Sequence, residues 1–265
     1  MPHNPTFSIV TCTWNSAATL PATLASLRVQ TCRDVEHIFV DGGSTDATLA
    51  LLDAFPGRKR VLHGVRGGIS HAMNCGIAAA SGDIVAHLHA DDYYAAPDVL
   101  ATVAQAMADS GRAWLVGEIA VLAGDRVLPP QARRAYSYRA LASGSAFVPH
   151  PATFVRRALF DTVGGFDATL RYAMDIDLWL RLGAHTPPVV LERVLAVFRD
   201  HPGSVSSANK LLARQEEWRV RRRYAGRAPL AFATYCLRYL KRTLPLRRSA
   251  TRAAALSKQP EHIDK

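Results

Sequence analysis

Apolar residues follow two alternating rhythms along the first half of this chain. Runs rich in β-branched residues at 7–13, 36–40, 60–64, 84–90 and 114–122 read as strands. Between them, apolar positions recur three and four residues apart. Leu20, Leu24 and Leu27 predict a helix over 19–30, with Pro21 tolerated in its first turn. Thr45 and Asp46 cap a predicted helix through Phe55, whose Leu49 and Leu52 face inward. Ser70 caps another, which carries Ala72, Met73, Ile77 and Ala80 on one stripe and stops at Gly82. A fourth covers 97–108.

The second half is less regular. Ala123-Gly124-Asp125 reads as a turn into a hairpin-like or irregular region reaching Pro151. The pattern predicts helices at 156–163 and 176–182, a strand at 189–198 and a loop at 203–207. Two basic helices follow, 209–224 and 229–244, and then an unstructured end. Strands alternating with helices imply an α/β class, with a mostly parallel sheet covered by helices on both faces. In such sheets ligands bind beyond the carboxyl ends of the strands.

Charge divides the chain. From Lys210 to Arg252 there are 13 Lys and Arg against two acids, whereas residues 1–209 carry 17 basic and 18 acidic side chains. The excess positive charge therefore belongs to the tail and suits an anionic membrane surface. In 229–244, Leu230, Ala233, Leu237, Leu240 and Leu244 form a stripe flanked by Arg238, Lys241 and Arg242, with Tyr235 and Tyr239 as interfacial side chains. Docking of that helix on the body of the protein is the competing expectation. No nucleic-acid-binding module accompanies the charge. Four scattered cysteines without a C-x-x-C pair favour reduced thiols. No signal peptide is visible and no apolar run reaches about 18 residues. The expected location is cytoplasmic, peripheral at the inner face of the plasma membrane.

The chemistry begins at two acidic strand ends. Val40-Asp41-Gly42-Gly43-Ser44-Thr45-Asp46 follows one strand and Leu88-His89-Ala90-Asp91-Asp92 another. Ionised groups beside a core must find partners, and a divalent cation or the ribose of a nucleotide would serve. Asp91 and Asp92 are the leading candidates for a Mn²⁺ or Mg²⁺ and nucleotide site, although Asp-Asp before Tyr93-Tyr94 also makes a good turn. Period-two alternation places His87, His89 and Asp91 on one face. His87-x-His89-x-Asp91 also resembles the zinc motif of metallo-β-lactamase-type hydrolases, but Asp92 stands where that motif needs a histidine. Gly42 and Gly43 allow close approach to the backbone. Thr13, Asn15, Ser44 and Thr45 offer polar groups beside them, and Asp46 suits a structural cap. A third cluster, Gly164-Gly165-Phe166-Asp167 with Met174-Asp175-Ile176-Asp177-Leu178-Trp179-Leu180-Arg181, places two acids at a helix start. A carboxylate there either caps the helix or acts as a general base.

In this order these motifs, together with Gly68-Ile69-Ser70-His71-Ala72-Met73-Asn74-Cys75-Gly76, Ser81-Gly82-Asp83 and Phe198-Arg199-Asp200-His201, resemble the family-2 glycosyltransferases with the GT-A fold. The likeness spans roughly residues 7–207 and is nearest the subgroup acting on bacterial surface polysaccharides and glycolipids. It implies an inverting transfer from a nucleotide-sugar, a UDP-sugar being favoured, to a hydroxyl of a lipid-linked or polysaccharide acceptor. A non-catalytic sugar-nucleotide-binding protein is the alternative. The resemblance gives Asp175 as catalytic base, Thr13, Asn15, Asp41, Ser44, Asp91 and Arg199 as donor contacts, and Asp92 and His201 as metal ligands. It divides the chain into a GT-A catalytic domain at 1–208 (nucleotide-sugar half 1–122, acceptor half 123–208) and a basic helical extension at 209–265. Many members have a second Asp at the position of Gly42, which leaves the nucleobase contact open. His71 replaces a frequent Asp and has no assigned role.

Overall fold

A computed structural model describes residues 6–130, 135–200 and 209–256. Strands β1 (Phe7–Thr13), β2 (Val35–Asp41), β3 (Lys59–Leu62) and β4 (Ile84–His87) alternate with helices α1 (Leu20–Arg28), α2 (Thr48–Ala54) and α3 (Ile69–Ala79). These four strands pair in parallel in the order β3-β2-β1-β4. The sheet continues through β8 (Thr153–Arg156), β6 (Trp114–Ala123) and β9 (Val189–Asp200) to β5 (Tyr93–Tyr94), while β7 (Arg126–Leu128) forms a hairpin with β6. β6 and β9 are parallel, and β8 is inserted antiparallel between β4 and β6.

Alternation along the strands divides the core into two layers. Phe7, Ile9, Val35, Phe39, Ile84, Ala86 and Leu115 pack under α1, α2 and α4 (Val99–Ser110). Val10, Cys12, Ile38, Val40, Val85, Trp114 and Val116 face the other way. There they meet α3, α5 (Tyr138–Ala142), α6 (Arg157–Val163), α7 (Met174–His185) and α8 (Lys210–Arg223). Burial on both faces explains why these strands read as nearly continuous apolar runs.

Several boundaries differ from the sequence reading for local reasons. β4 ends at His87 because the Asp92 N–H turns back to the His89 carbonyl at 3.1 Å. Ser70 does not cap α3: it lies inside the first turn after Gly68, and its hydroxyl donates to the Leu170 carbonyl at 2.9 Å. α2 starts at Thr48, with Asp46 accepting from the Thr48 N–H at 3.0 Å. The last helix, α9 (Pro229–Leu256), runs past residue 244 into the expected unstructured end as far as Leu256, where Ala253-Ala254-Ala255 favours helix, and the rest of that end lies outside the described residues. Tyr235 is no interfacial residue. It is buried, with the Arg221 guanidinium 4.7 Å from its ring centroid, while Tyr239 packs at 6.1 Å on Trp218. The predicted loop at 203–207 lies outside the described residues. Among the described residues no helix is long and apolar enough to cross a membrane.

Candidate active site

Parallel pairing brings the carboxyl ends of β1, β2 and β4 to one edge, with Thr13 opposite Asp41. Asp41 is buried and organises the loop that follows it. Its Oδ2 accepts the Gly43 and Ser44 N–H groups at 2.8 and 2.9 Å, and its Oδ1 accepts the Ser44 and Thr13 hydroxyls at 2.5 and 3.0 Å. Burial alone would raise its pKa, but these donors outweigh burial and hold it below the ordinary carboxylate value. Gly43 makes the turn possible at φ 95°. Asn15 sits in the left-handed region at φ 49°, where Asn is tolerated. Its N–H donates to Ser44 Oγ at 2.9 Å and its Oδ1 accepts the Thr45 N–H at 2.8 Å. Thr13, Asn15, Asp41 and Ser44 thus form one connected pair of loops. Asp46 braces them, with Oδ2 accepting the Ala17 N–H at 3.1 Å. Arg66, missed in the sequence, lays its guanidinium against Gly43, and only the folding of β3 beside β2 brings it there.

The second acidic pair lies beyond β4. Asp92 is buried, and its Oδ1 accepts the Arg199 N–H at 3.0 Å. Arg199 also donates from Nε to the Asp91 carbonyl at 3.2 Å. The antiparallel pairing of Tyr93 with Val197 aligns these segments. Burial, and secondarily the neighbouring Asp91, push the Asp92 pKa well above the ordinary value. Two adjacent carboxylates at a strand end are hard oxygen donors, and that donor set suits a hard cation sharing its shell with phosphate oxygens. Among the described residues no group of three or more His, Cys, Asp or Glu forms a complete protein cage. His201 lies outside the described residues.

His87 and His89 join His150, from the turn before β8, in a buried cluster. His89 and His150 stack at 4.8 Å, and His87 lies 5.5 Å from His150 and 5.2 Å from Phe166. Burial, and then His89, drive the His87 pKa down to about 3; His89 and His150 are also lowered, chiefly by burial. Neutral imidazoles supporting the strand end fit this arrangement better than a zinc motif. His150 was not foreseen, because nothing near it in the sequence carries a motif.

Through His150 the cluster reaches Trp179 of α7 at 5.8 Å, one turn beyond Asp175. Asp175 is half-buried. Desolvation raises its pKa to about 6 against the Ile176 N–H, which donates to Oδ1 at 2.7 Å; Glu217 adds to the rise and Arg221 opposes it. Asp177 has a different job. It is buried, paired with Arg181 at 2.9 Å, and accepts the Tyr224 hydroxyl at 2.8 Å. Arg181 further donates to the carbonyls of Val163, Gly164 and Gly165. Asn74 clamps the same loop, bonding both the N–H and the carbonyl of Phe166 at 2.8 Å.

Comparison with known proteins bears on the family and the fold. The model of glycosyl transferase family 2 matches residues 8–164. An uncharacterised glycosyltransferase of Mycobacterium tuberculosis, Rv1514c, is 36% identical over 203 residues, covering 75% of this chain and 76% of the relative. The PGL/p-HBAD biosynthesis glycosyltransferase Rv2957 of the same species is 34% identical over 207 residues, 73% and 75% of the two chains. The S. aureus TarS 1-349 structure with UDP-GlcNAc superposes with a TM-score of 0.72 at 19% identity, covering 89% of this chain and 72% of that one. The mannosyltransferase PcManGT from Pyrobaculum calidifontis, in complex with GDP-Man and Mn²⁺, gives 0.61 at 19% identity, covering 97% and 82%. The fold is therefore GT-A-like.

Proposed function

The chain belongs to glycosyltransferase family 2, and on that premise we propose that it moves a sugar, with inversion, from a UDP-sugar to a hydroxyl of a lipid-linked or polysaccharide acceptor. The observation that carries this reading is the shared edge. Two acidic strand ends and Arg199 gather there, and a packed chain of His89, His150 and Trp179 links them to a helix that begins with a carboxyl of raised pKa.

The loops of Asp41, Ser44, Thr13 and Asn15 shape the nucleoside end, with Asp91 and Arg199 beside the ribose and diphosphate. Asp92 would hold Mn²⁺ or Mg²⁺, which would supply neutralisation of the diphosphate leaving group. Asp175, ionised, accepts the proton of the acceptor hydroxyl as that oxygen attacks the anomeric carbon opposite the departing diphosphate. The Mn²⁺ in the PcManGT complex and the UDP-GlcNAc in the TarS complex support a metal and a sugar nucleotide as ligands.

The acceptor class is suggested by the PGL/p-HBAD biosynthesis named for Rv2957 and by the outward face of α9. Leu230 and Leu237 are 81% and 70% exposed, and Leu240 and Leu244 about half. Ala228, Ala231, Tyr235 and Thr243 face inward instead. An apolar stripe beside Lys241 and Arg242 suits an anionic leaflet.

A nucleotide-release assay across UDP-, GDP- and dTDP-sugars, with Mn²⁺, Mg²⁺ or EDTA, tests the proposal. Release from a UDP-sugar alone, dependent on metal, is the expected result. Turnover undiminished in EDTA would remove the metal from the scheme, and release from no sugar nucleotide would leave a binding protein.

A further inference from the structure

Ala173, the residue entering α7, has no side-chain oxygen to fix the approach of the chain to that helix. The backbone leading into it is held instead from 43 residues further along the chain. Glu216 of α8, itself buried, directs Oε1 at three consecutive backbone N–H groups, those of Arg171, Tyr172 and Ala173, at 2.9, 2.6 and 2.8 Å. Successive amides converging on one anionic oxygen form a tight nest, and such charge-assisted bonds are stronger than neutral ones. Asp175 lies two residues beyond the last of them.

We propose that Glu216 is a positioning residue for Asp175. It fastens the backbone that enters α7 at three consecutive amides and so fixes where that helix presents Asp175, whose Oδ1 takes the Ile176 N–H, towards an acceptor hydroxyl. The inference rests on the reading of Asp175 as the base. The neighbours of Glu216 serve the same end. Arg223 binds Asp167 at 2.7 Å, Tyr224 binds Asp177, and Arg221 joins Glu217 at 3.0 Å while donating to the Leu141 and Ala142 carbonyls. By this reading α8 belongs to the catalytic unit, although the domain division read from the sequence places it in an appendage.

The test uses the full chain carrying Glu216→Ala, Glu216→Gln or Asp175→Asn. Hydrogen exchange is followed in the peptide 166–180, UDP binding by calorimetry, and turnover with whichever of UDP-GlcNAc, UDP-glucose or GDP-mannose the unaltered protein hydrolyses fastest. Glu216→Ala should lose protection in that peptide and drop kcat by roughly 10²-fold, the scale for a displaced catalytic group. UDP affinity and donor KM should stay within about twofold. Glu216→Gln keeps an acceptor oxygen and should recover part of kcat. Unchanged protection in Glu216→Ala, or kcat within about threefold, overturns the proposal, as does a loss of UDP binding and of protection throughout the chain. If Asp175→Asn retains turnover, the base assignment fails on its own, and that result is distinct from the Glu216 arm.

Discussion

Asp175 and Asp177 lie two residues apart in one helical turn and have opposite fates. Asp177 is consumed by Arg181 and Tyr224, whereas Asp175 is desolvated without a direct ion pair among the described side chains. Sequence places both acids at a helix start, and what separates them is their partners: Arg181 of the same helix and Tyr224, just past α8, both take Asp177. Asp175→Asn should lower kcat by about 10²–10⁴-fold, the usual worth of a general base, with donor affinity unchanged in calorimetry. The pH profile is a second check. A base with a pKa of about 6 is protonated below that value, so kcat should fall about tenfold per pH unit below 6 and level off above it. The same shift means that the folded chain holds this proton more tightly than the unfolded one. Its contribution to stability is therefore present below about 4 and is lost as pH rises through about 6. Glu217→Gln removes a charge that raises the Asp175 pKa and leaves Arg221, so the acid limb should move to lower pH; a limb that stays in place would exclude Glu217 as a contributor.

At the scale of elements, the parallel half was legible because its strands are buried on both faces and its helices show clear stripes. The inserted β8, four residues long, was hidden in a run that also begins α6, and two-residue β5 carries no periodicity at all. The loop 164–173 was visible only as Gly164-Gly165-Phe166-Asp167. Its order comes from Ser70, Asn74, Arg181 and Glu216, contributed by α3, α7 and α8. Gly165 is where this packing is least forgiving, since a Cβ there would stand 2.3 Å from Asn74 Oδ1. Gly165→Ala should cost about 1–3 kcal/mol in chemical denaturation, the range for overpacking, and lower kcat more than donor affinity. A stability within error of the unaltered protein would show that Asn74 is not the clamp.

For the whole molecule, the sequence left two uses for the basic tail, the membrane or the body of the protein. Both faces of α9 carry apolar residues, and periodicity cannot say which one is docked. The structure assigns the alanine and tyrosine face to the interior and leaves the leucines outside. The unaltered chain should float with vesicles containing phosphatidylglycerol and much less with pure phosphatidylcholine. Leu237→Glu with Leu240→Glu should abolish flotation at unchanged UDP binding; persistent flotation would move the contact elsewhere.

The carboxylate that bonds the amides of 171–173 has a consequence for biosynthesis. A ribosome releases the whole sheet and the Asp175 helix before Glu216 emerges, so a nascent chain can build its donor edge early while those amides await their partner. Until Glu216 docks, those three amides lack the carboxylate that gathers them, so the helix carrying Asp175 is the last part of the edge to be fixed in place.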